Sequence, residues 1–306
     1  MSTSVAHSIP EEFRRAFADN VEFAIQDTTN KFSGRVRIDS FTGKEKIYNH
    51  LEETSFERRN GRLQQSAPIE AEMHARKMVK MDFRRQFIFD KWDREFLGNL
   101  GLPTSEVIQN LKMAWNRLLD SEICKAATAT VYGGVEPYVT AIDIPSTQEV
   151  AKNYKGPGVT PADTDLNPQK IIKAREILLK NGIDPEMEPC VLAIDPIGET
   201  SLMAYVEAST NDVWGTMIAT WLQDKSKKLF GFEVVCTNNI QTTSANTVSC
   251  FAYSKERGIY MSPDTLETSL DVRPDLDHAL QVSAYGTVGF MRRQEKAVVE
   301  IFCHRA

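Results

Sequence analysis

A chain of 306 residues is long enough for one large or two smaller domains with a sizeable core. Its formal net charge of −6 and pI near 5.5 argue against a nucleic-acid binder that works by neutralising phosphates. Five dispersed cysteines, Cys124, Cys190, Cys236, Cys250 and Cys303, form no CxxC pair and point to reduced thiols rather than a disulfide framework. Residues 1–10 lack the apolar core and basic flank of a signal peptide, and no run approaches the roughly 18 apolar residues of a membrane span.

Residues 1–33 open with a polar tail and continue into a short amphipathic segment, with Pro10, Phe13, Phe17, Val21 and Ile25 near helical spacing. A lone short helix is marginal in water, so this arm must dock on its own domain or on another subunit. Residues 34–85 alternate weakly at Val36 and Ile38 and again at Met78, Val79, Met81 and Phe83. Charges, Pro68 and the turn signal Asn60-Gly61 lie between. The pattern predicts an extended two-armed hairpin with too few apolar residues for a core of its own. Arg58, Arg59 and Arg62 beside Glu52, Glu53 and Glu57 read as a solvated mixed-charge face. Residues 86–103 carry an aromatic stripe, Phe87, Phe89, Trp92, Phe96 and Leu97, that predicts a helix ended by Gly98 and Asn99.

The spacing then predicts one long helix over residues 104–132. Thr104 can cap it after Pro103, and Glu106 suits the positive first turn. Val107, Ile108, Leu111, Trp115, Leu118 and Leu119 recur at three-to-four spacing, and Gly133 with Gly134 would stop it. Such a helix spans on the order of 40 Å and acts as a strut. A loop-rich stretch over 135–166 follows, with a strand at 139–144. The next helix, over 167–182, is capped by Asn167, opened by Pro168 and closed by Asn181 and Gly182. A buried strand at 189–194, a helix from Asp195 and a strand at 229–236 suggest a compact α/β subdomain. Residues 248–253 and 258–261 read as a hairpin around the KERG turn. Strands at 266–272, 280–290 and 297–303 close the chain as sheet, expected to return onto the long helix.

No catalytic, cofactor-binding or metal-binding residues emerge. The histidines His7, His50, His74, His278 and His304 share no ligand spacing, and Cys303 and His304, adjacent on a strand, face opposite ways. There is no GxSxG elbow or Walker loop. Gly156-Pro157-Gly158 is followed by Pro161 where a phosphate-binding helix should begin. Asp163, Asp165 and Asn167 open like a calcium loop, but Pro168 and Ala174 replace its required Gly and Glu. Asp275 and Asp277 read as a solvated turn after Pro274.

The order of parts resembles the major capsid proteins of tailed bacteriophages, with the Hong Kong 97 phage capsid fold. The resemblance is carried by LPTSEVIQNLKMAWNRLLDSEICKAATATVYGG, KKLFGFEVVCTNNI and LDHALQVSAYGTVGFMRRQEKAVVEIFC. It implies an α+β fold with an N-terminal arm (1–33), an extended β-hairpin loop (34–85), a peripheral domain (86–160 and 263–306) holding the spine helix 104–132, and an axial domain (161–262). It also implies a non-enzymatic structural protein of the virion, made in the bacterial host cytoplasm. Copies would assemble through hexamers and pentamers into an icosahedral shell around double-stranded DNA, without sequence-specific DNA binding and without a membrane. Implied partners are further copies of itself, a portal, a separate scaffolding protein and a decoration protein. No Lys and Asn pair can be assigned to the covalent crosslinking of the fold's namesake. An encapsulin-like nanocompartment shell and a soluble α/β enzyme are the alternative readings.

Overall fold

The computed structural model describes residues 27–51, 54–56, 58, 61, 73–90, 104–208, 213–244 and 246–305. The amphipathic pattern of residues 10–25, the turn residue Asn60, Arg59 and Arg62 with the neighbouring glutamates, the helix expected over 91–103 and the side chain of Thr104 lie outside this description. Two compact units emerge. One contains Met81–Leu119 and Asp264–Thr287, and the other Lys31–Lys80, Asp120–Pro263 and Val288–Ala306.

The strands in chain order begin with β1 (Arg37–Ile38), β2 (Glu45–Leu51) and β3 (Met73–Phe89). β2 and β3 form the expected antiparallel hairpin, from Glu45↔Val79 to Leu51↔Met73. β3 runs on to Phe89, so Phe87 and Phe89 sit on a strand and not on the predicted helix. The physical reason is the alternation of Met81, Phe83 and Phe87 with Asp82, Arg84 and Gln86, which is period-two and continues the hairpin arm.

Helix α1 (Thr104–Thr128) follows. It stops four residues short of the prediction, where buried Arg292 caps the exit: Nη1 donates to Ala127 O of the helix (3.2 Å) and to Ala129 O just past it (2.7 Å), and Nη2 to Ile142 O farther along the chain (3.0 Å). The chain then turns into β4 (Val131–Gly133), paired with β5 (Thr140–Ile142). Gly133 lets β4 approach β3, since a Cβ there would sit 2.0 Å from Ala75 O.

In the first unit, β12 (Thr265–Arg273) pairs antiparallel with Ala279–Thr287 of β13 (Ala279–Arg292). Leu111 of α1 is buried against Val282 and Ala284, with Phe87, Val107, Ile108 and Leu266 around them. This matches the expectation that the helix packs on the closing strands.

The second unit is built on a six-stranded sheet ordered β6 (Glu149–Val150), β14 (Val298–His304), β10 (Thr247–Ser254), β7 (Cys190–Ile194) and β8 (Phe232–Cys236), with β9 (Thr242–Ser244) also on β10. Helices α2 (Pro168–Lys180), α3 (Pro196–Ala208) and α4 (Val213–Gln223) belong to the same unit. Sequence reasoning anticipated α2, α3, β7 and β8 but missed α4. Asn167 caps α2 as read, its Oδ1 accepting from the Lys170 amide at 2.8 Å. Ile171, Ala174 and Leu178 of α2, Leu202 of α3 and Trp221 of α4 share one core with Leu192, Ala252, Val299 and Ile301 of the sheet.

Two expectations are corrected here. β10 does not form a hairpin with β11 (Ile259–Met261): β10 pairs with β14, β7 and β9, while β11 pairs with β1 and β13. Backbone bonds such as Gly258 N to Ser254 O turn the chain from one sheet to the other. The division that set 263–306 apart from 161–262 is crossed by β14, which pairs with β10 from Thr247↔His304 to Tyr253↔Val298. Its alternation of fully buried Val299, Ile301 and Cys303 fits the core of that sheet.

Polar groups pin the same unit from inside. Lys170 is fully buried, and its three ammonium donors go to Lys152 O (2.9 Å), Thr164 O (2.6 Å) and Phe302 O (2.9 Å). Arg305 pairs with both Asp165 and Asp195. The end of the arm is part of the subunit body, so of the two docking places open to residues 1–33 its last residues take their own domain. Asp120 accepts from the amides of Lys31 (3.1 Å) and Phe32 (3.4 Å), and buried Phe32 stacks on Phe251 with centroids 6.4 Å apart.

Candidate assembly interface

The hairpin is rooted and not coreless. Tyr48 and Met78 are buried with Tyr260 and Met291, and Phe41 packs on them. Cations and rings alternate along this root. Lys80 lies 4.4 Å from the Phe41 centroid, Lys46 is 4.7 Å from Tyr48, Arg293 is 5.1 Å from Tyr48, and Arg37 is 5.2 Å from Tyr260. Each such contact is worth roughly 0.5–1 kcal/mol where exposed, and the series ties residues 37–48 to the unit. Lys46 also pairs with Asp39 at 2.8 Å and holds that carboxyl below the usual carboxylate range.

The other face of the hairpin carries apolar side chains in the open. Ile47, Leu51 and Met73 are exposed, and Leu51 and Met73 are direct cross-strand partners. Apolar groups so placed are candidate contacts for another chain. In the first unit, the β12–β13 ribbon exposes Leu270, Val272 and Tyr285. The same unit holds a groove of about 420 Å³ with Phe83, Phe87, Leu111, Trp115 and Leu118 among its walls and Arg84, Arg85 and Arg117 beside them.

The residues weighed for chemistry are dispersed. Asp163 pairs with Lys152 (2.9 Å), while Asp165 goes to Arg305 and to Ser201 Oγ (2.5 Å). Asn167 is spent on the α2 cap. Asp275 lies in the turn after β12 and pairs with Arg273, as the turn reading expects. Among the described residues no group of three His, Cys, Asp or Glu is placed to hold a metal. All five thiols are free. Burial pushes Cys190 up to about 12 and Cys236 to about 11, so both stay protonated and poorly nucleophilic near neutral pH. Sequence reasoning missed two juxtapositions. Cys250 and Cys303 approach to 4.0 Å between sulfurs on neighbouring strands, and His50 faces His74 across the hairpin. Only the strand register reveals either pair.

A family profile described as phage capsid protein matches residues 9–305. Solved structures of similar fold include the capsid of Ralstonia phage GP4, with a TM-score of 0.65 at 10% identity, covering 100% of this chain and 99% of that one. The cyanophage Pam1 capsid asymmetric unit gives a TM-score of 0.62 at 12% identity, covering 100% and 99%. A chain from Mycobacterium phage Che8 gives 0.61 at 13% identity, covering 93% and 97%. Among curated proteins nothing matches.

Proposed function

The chain belongs to the phage capsid protein family, and we propose that it is a major capsid protein whose copies join through hexamers and pentamers into an icosahedral shell around the double-stranded DNA of a tailed bacteriophage. The carrying observation is that the family match, over residues 9–305, takes in both units of the fold. The mixed α+β architecture agrees with it, as do the capsid chains of similar fold. The comparisons lend no support to a nanocompartment shell or a soluble α/β enzyme.

In this reading α1 is the spine helix, residues 1–33 the arm and 34–85 the extended loop. The peripheral domain takes 86–160 and the β12–β13 ribbon, and the axial domain takes 161–262. The pairing of β14 with β10 supports moving Val298–His304 into the axial domain. The exposed Ile47, Leu51 and Met73 on the hairpin supply contacts to neighbouring copies. Contacts weak one at a time become strong when repeated around a closed lattice. A net charge of −6 suits an inner wall past which packaged DNA slides without sequence-specific binding.

The subunit resides in the virion and is made in the host cytoplasm. A portal, a separate scaffolding protein and a decoration protein complete the partners, and the chain carries out no enzymatic turnover. Negative-stain microscopy and sedimentation of the expressed chain test the reading. Closed shells or capsomers are the expected product, and a monodisperse monomer with substrate turnover would refute it.

A further inference from the structure

β6 stands at one end of the six-stranded order and joins β14 by two register pairs, Glu300↔Glu149 and Ile301↔Val150. The second pair lies in the helix-covered core, where Val150 and Ile301 are buried. The first is on the opposite face, where directly paired side chains meet. Half of this short seam is therefore a pair of carboxyl groups set side by side.

Glu149 is half-buried, and Glu300 is only 8% exposed. Ser249 of β10 donates its hydroxyl to Glu300 Oε1, and Phe251 is the β10 partner of Glu300. The charged groups acting on Glu300 are Glu149 from β6 and Arg292 from the end of β13. Arg292 is already committed. Its Nη1 and Nη2 go to the carbonyls of Ala127, Ala129 and Ile142. Glu295 and Asp143 draw on the same guanidinium, while Arg76 repels it. Lys170 meets β14 at the Phe302 carbonyl, beside Cys250 and Cys303 of the core face.

We propose that the Glu149–Glu300 pair is a proton-gated seam. With a proton on Glu300 the two carboxyl groups lie together without repulsion, and β6 stays on β14. With both ionised, like charges face each other across one of the two pairs, and β6 lifts away to open the outer edge of β14.

Burial raises the Glu300 carboxyl above its ordinary value of 4.5, against the Ser249 hydrogen bond; Glu149 adds to the rise and Arg292 opposes it. The closed seam therefore holds its proton more tightly than the opened or unfolded chain does. The stability this brings is complete below 4.5 and is lost as pH rises through the higher folded value. The seam is a property of the single subunit, so it stands or falls separately from shell formation.

Urea unfolding of the full unassembled chain, as wild type and as Glu300→Gln, tests it between about pH 4 and about pH 8. The glutamine keeps the shape and an acceptor for Ser249 but carries no charge. The expected result is a ratio of unfolding constants, wild type over variant, that rises by up to about tenfold per pH unit, the slope of one proton, and then levels off. Hydrogen exchange with intrinsic rates corrected localises the effect. Protection of residues 146–150 should fall with pH in the wild type and hold in the variant, with β7 and β8 as internal references. A ratio that stays flat with pH, or exchange that rises equally in both chains, overturns the proposal. Should Glu300→Gln fail to fold, carboxyl NMR of the wild type and of Glu149→Gln decides. A glutamate that titrates above the ordinary range in the wild type and lower in Glu149→Gln supports the seam. The absence of such a glutamate, or one that Glu149→Gln leaves unmoved, refutes it. Microscopy of shells at neutral pH reports on the assembly function independently of either outcome.

Discussion

The indole of Trp115 fills the space that a side chain at Gly286 would occupy: a Cβ built there would stand 2.3 Å from Trp115 Cη2. The ring also meets Phe83 edge-on, with centroids 6.0 Å apart, and its Nε1 donates to Asp264 at 3.2 Å. A glycine in β13 and a tryptophan on α1 are therefore one packing unit, and each constrains the other.

Trp115→Ala should cost about 3–5 kcal/mol, the range for deleting a buried aromatic. Gly286→Ala should cost about 1–3 kcal/mol by overpacking against the ring. Together they should cost less than the sum, because the smaller residue at position 115 vacates the space the new methyl needs. Urea unfolding of the two single variants and the double variant measures the coupling. Strict additivity would mean the two residues do not share this contact.

The first unit was legible because its helix announces itself. Leu111 and Trp115 recur at helical spacing, and the long alternating runs of β12 and β13 admit one reading. Asn167, Pro168 and Gly182 likewise bounded α2 from local chemistry alone. What failed was non-local. α1 ends at Thr128, where Arg292 reaches the carbonyls of Ala127 and Ala129 from 165 and 163 residues away. β10 and β11 look like a hairpin since only four residues separate them, yet their partners lie in different sheets. The hairpin looked coreless because Tyr48 and Met78 are sparse in their own segment and gain their burial from Tyr260 and Met291. α4 went unread since VWGTMIATWLQ contains a glycine and β-branched residues and is apolar on several sides. The candidate interface was legible as a segment, but its rooting and its histidine pair depend on strand register.

Lys170 gathers the carbonyls of Lys152, Thr164 and Phe302, three separate stretches of chain, around one ammonium. Lys170→Met preserves the stem and removes every donor. Lys152 O keeps the Thr164 amide (3.1 Å) and Thr164 O the His304 amide (3.0 Å). The loss is therefore that of three charge-assisted bonds, roughly 1.5–3 kcal/mol each, which is large relative to typical total stability. Lys170→Arg should not rescue it, because a planar fork cannot reproduce a compact ammonium with three diverging donors. Thermal denaturation of both variants checks this. Wild-type stability in the Met variant would show that the ammonium bonds add nothing to the fold.

Arg305 closes the end of β14 onto two carboxylates, Asp165 ahead of α2 and Asp195 at the start of α3. Asp195 is buried and also accepts from the Gly198 amide at 3.1 Å. Arg305→Ala strands that buried carboxylate, a loss of about 3–5 kcal/mol when one partner of a buried pair is removed. Arg305→Ala combined with Asp195→Asn should recover part of it, because the remaining side chain carries no charge. Unfolding midpoints of the single and double variants test the coupling, and a double variant weaker than both singles would rule out this account.

The hairpin prediction follows from where its burial ends. Tyr48 and Met78 belong to the core of the second unit, and Lys46, Lys80 and Arg293 tie the root down through the Phe41 and Tyr48 rings. Replacing residues 42–78 wholesale, which a coreless hairpin would tolerate, should therefore destabilise the subunit. Each large apolar side chain lost from such a cluster typically costs about 2–5 kcal/mol. Replacing only residues 52–72 by a short Gly-Ser linker leaves the Glu45↔Val79 to Leu51↔Met73 ladder in place. That second variant should unfold at nearly the wild-type midpoint. It should nonetheless fail to close shells although Ile47, Leu51 and Met73 remain, because in the proposed function the whole extended loop 34–85 serves neighbouring copies, this variant shortens it, and the lattice multiplies every lost contact. Circular dichroism melts separate the two variants, and negative-stain microscopy reads assembly. Normal shells from the 52–72 replacement would remove the hairpin tip from the assembly mechanism, and a wild-type melt from the 42–78 replacement would contradict the rooted core.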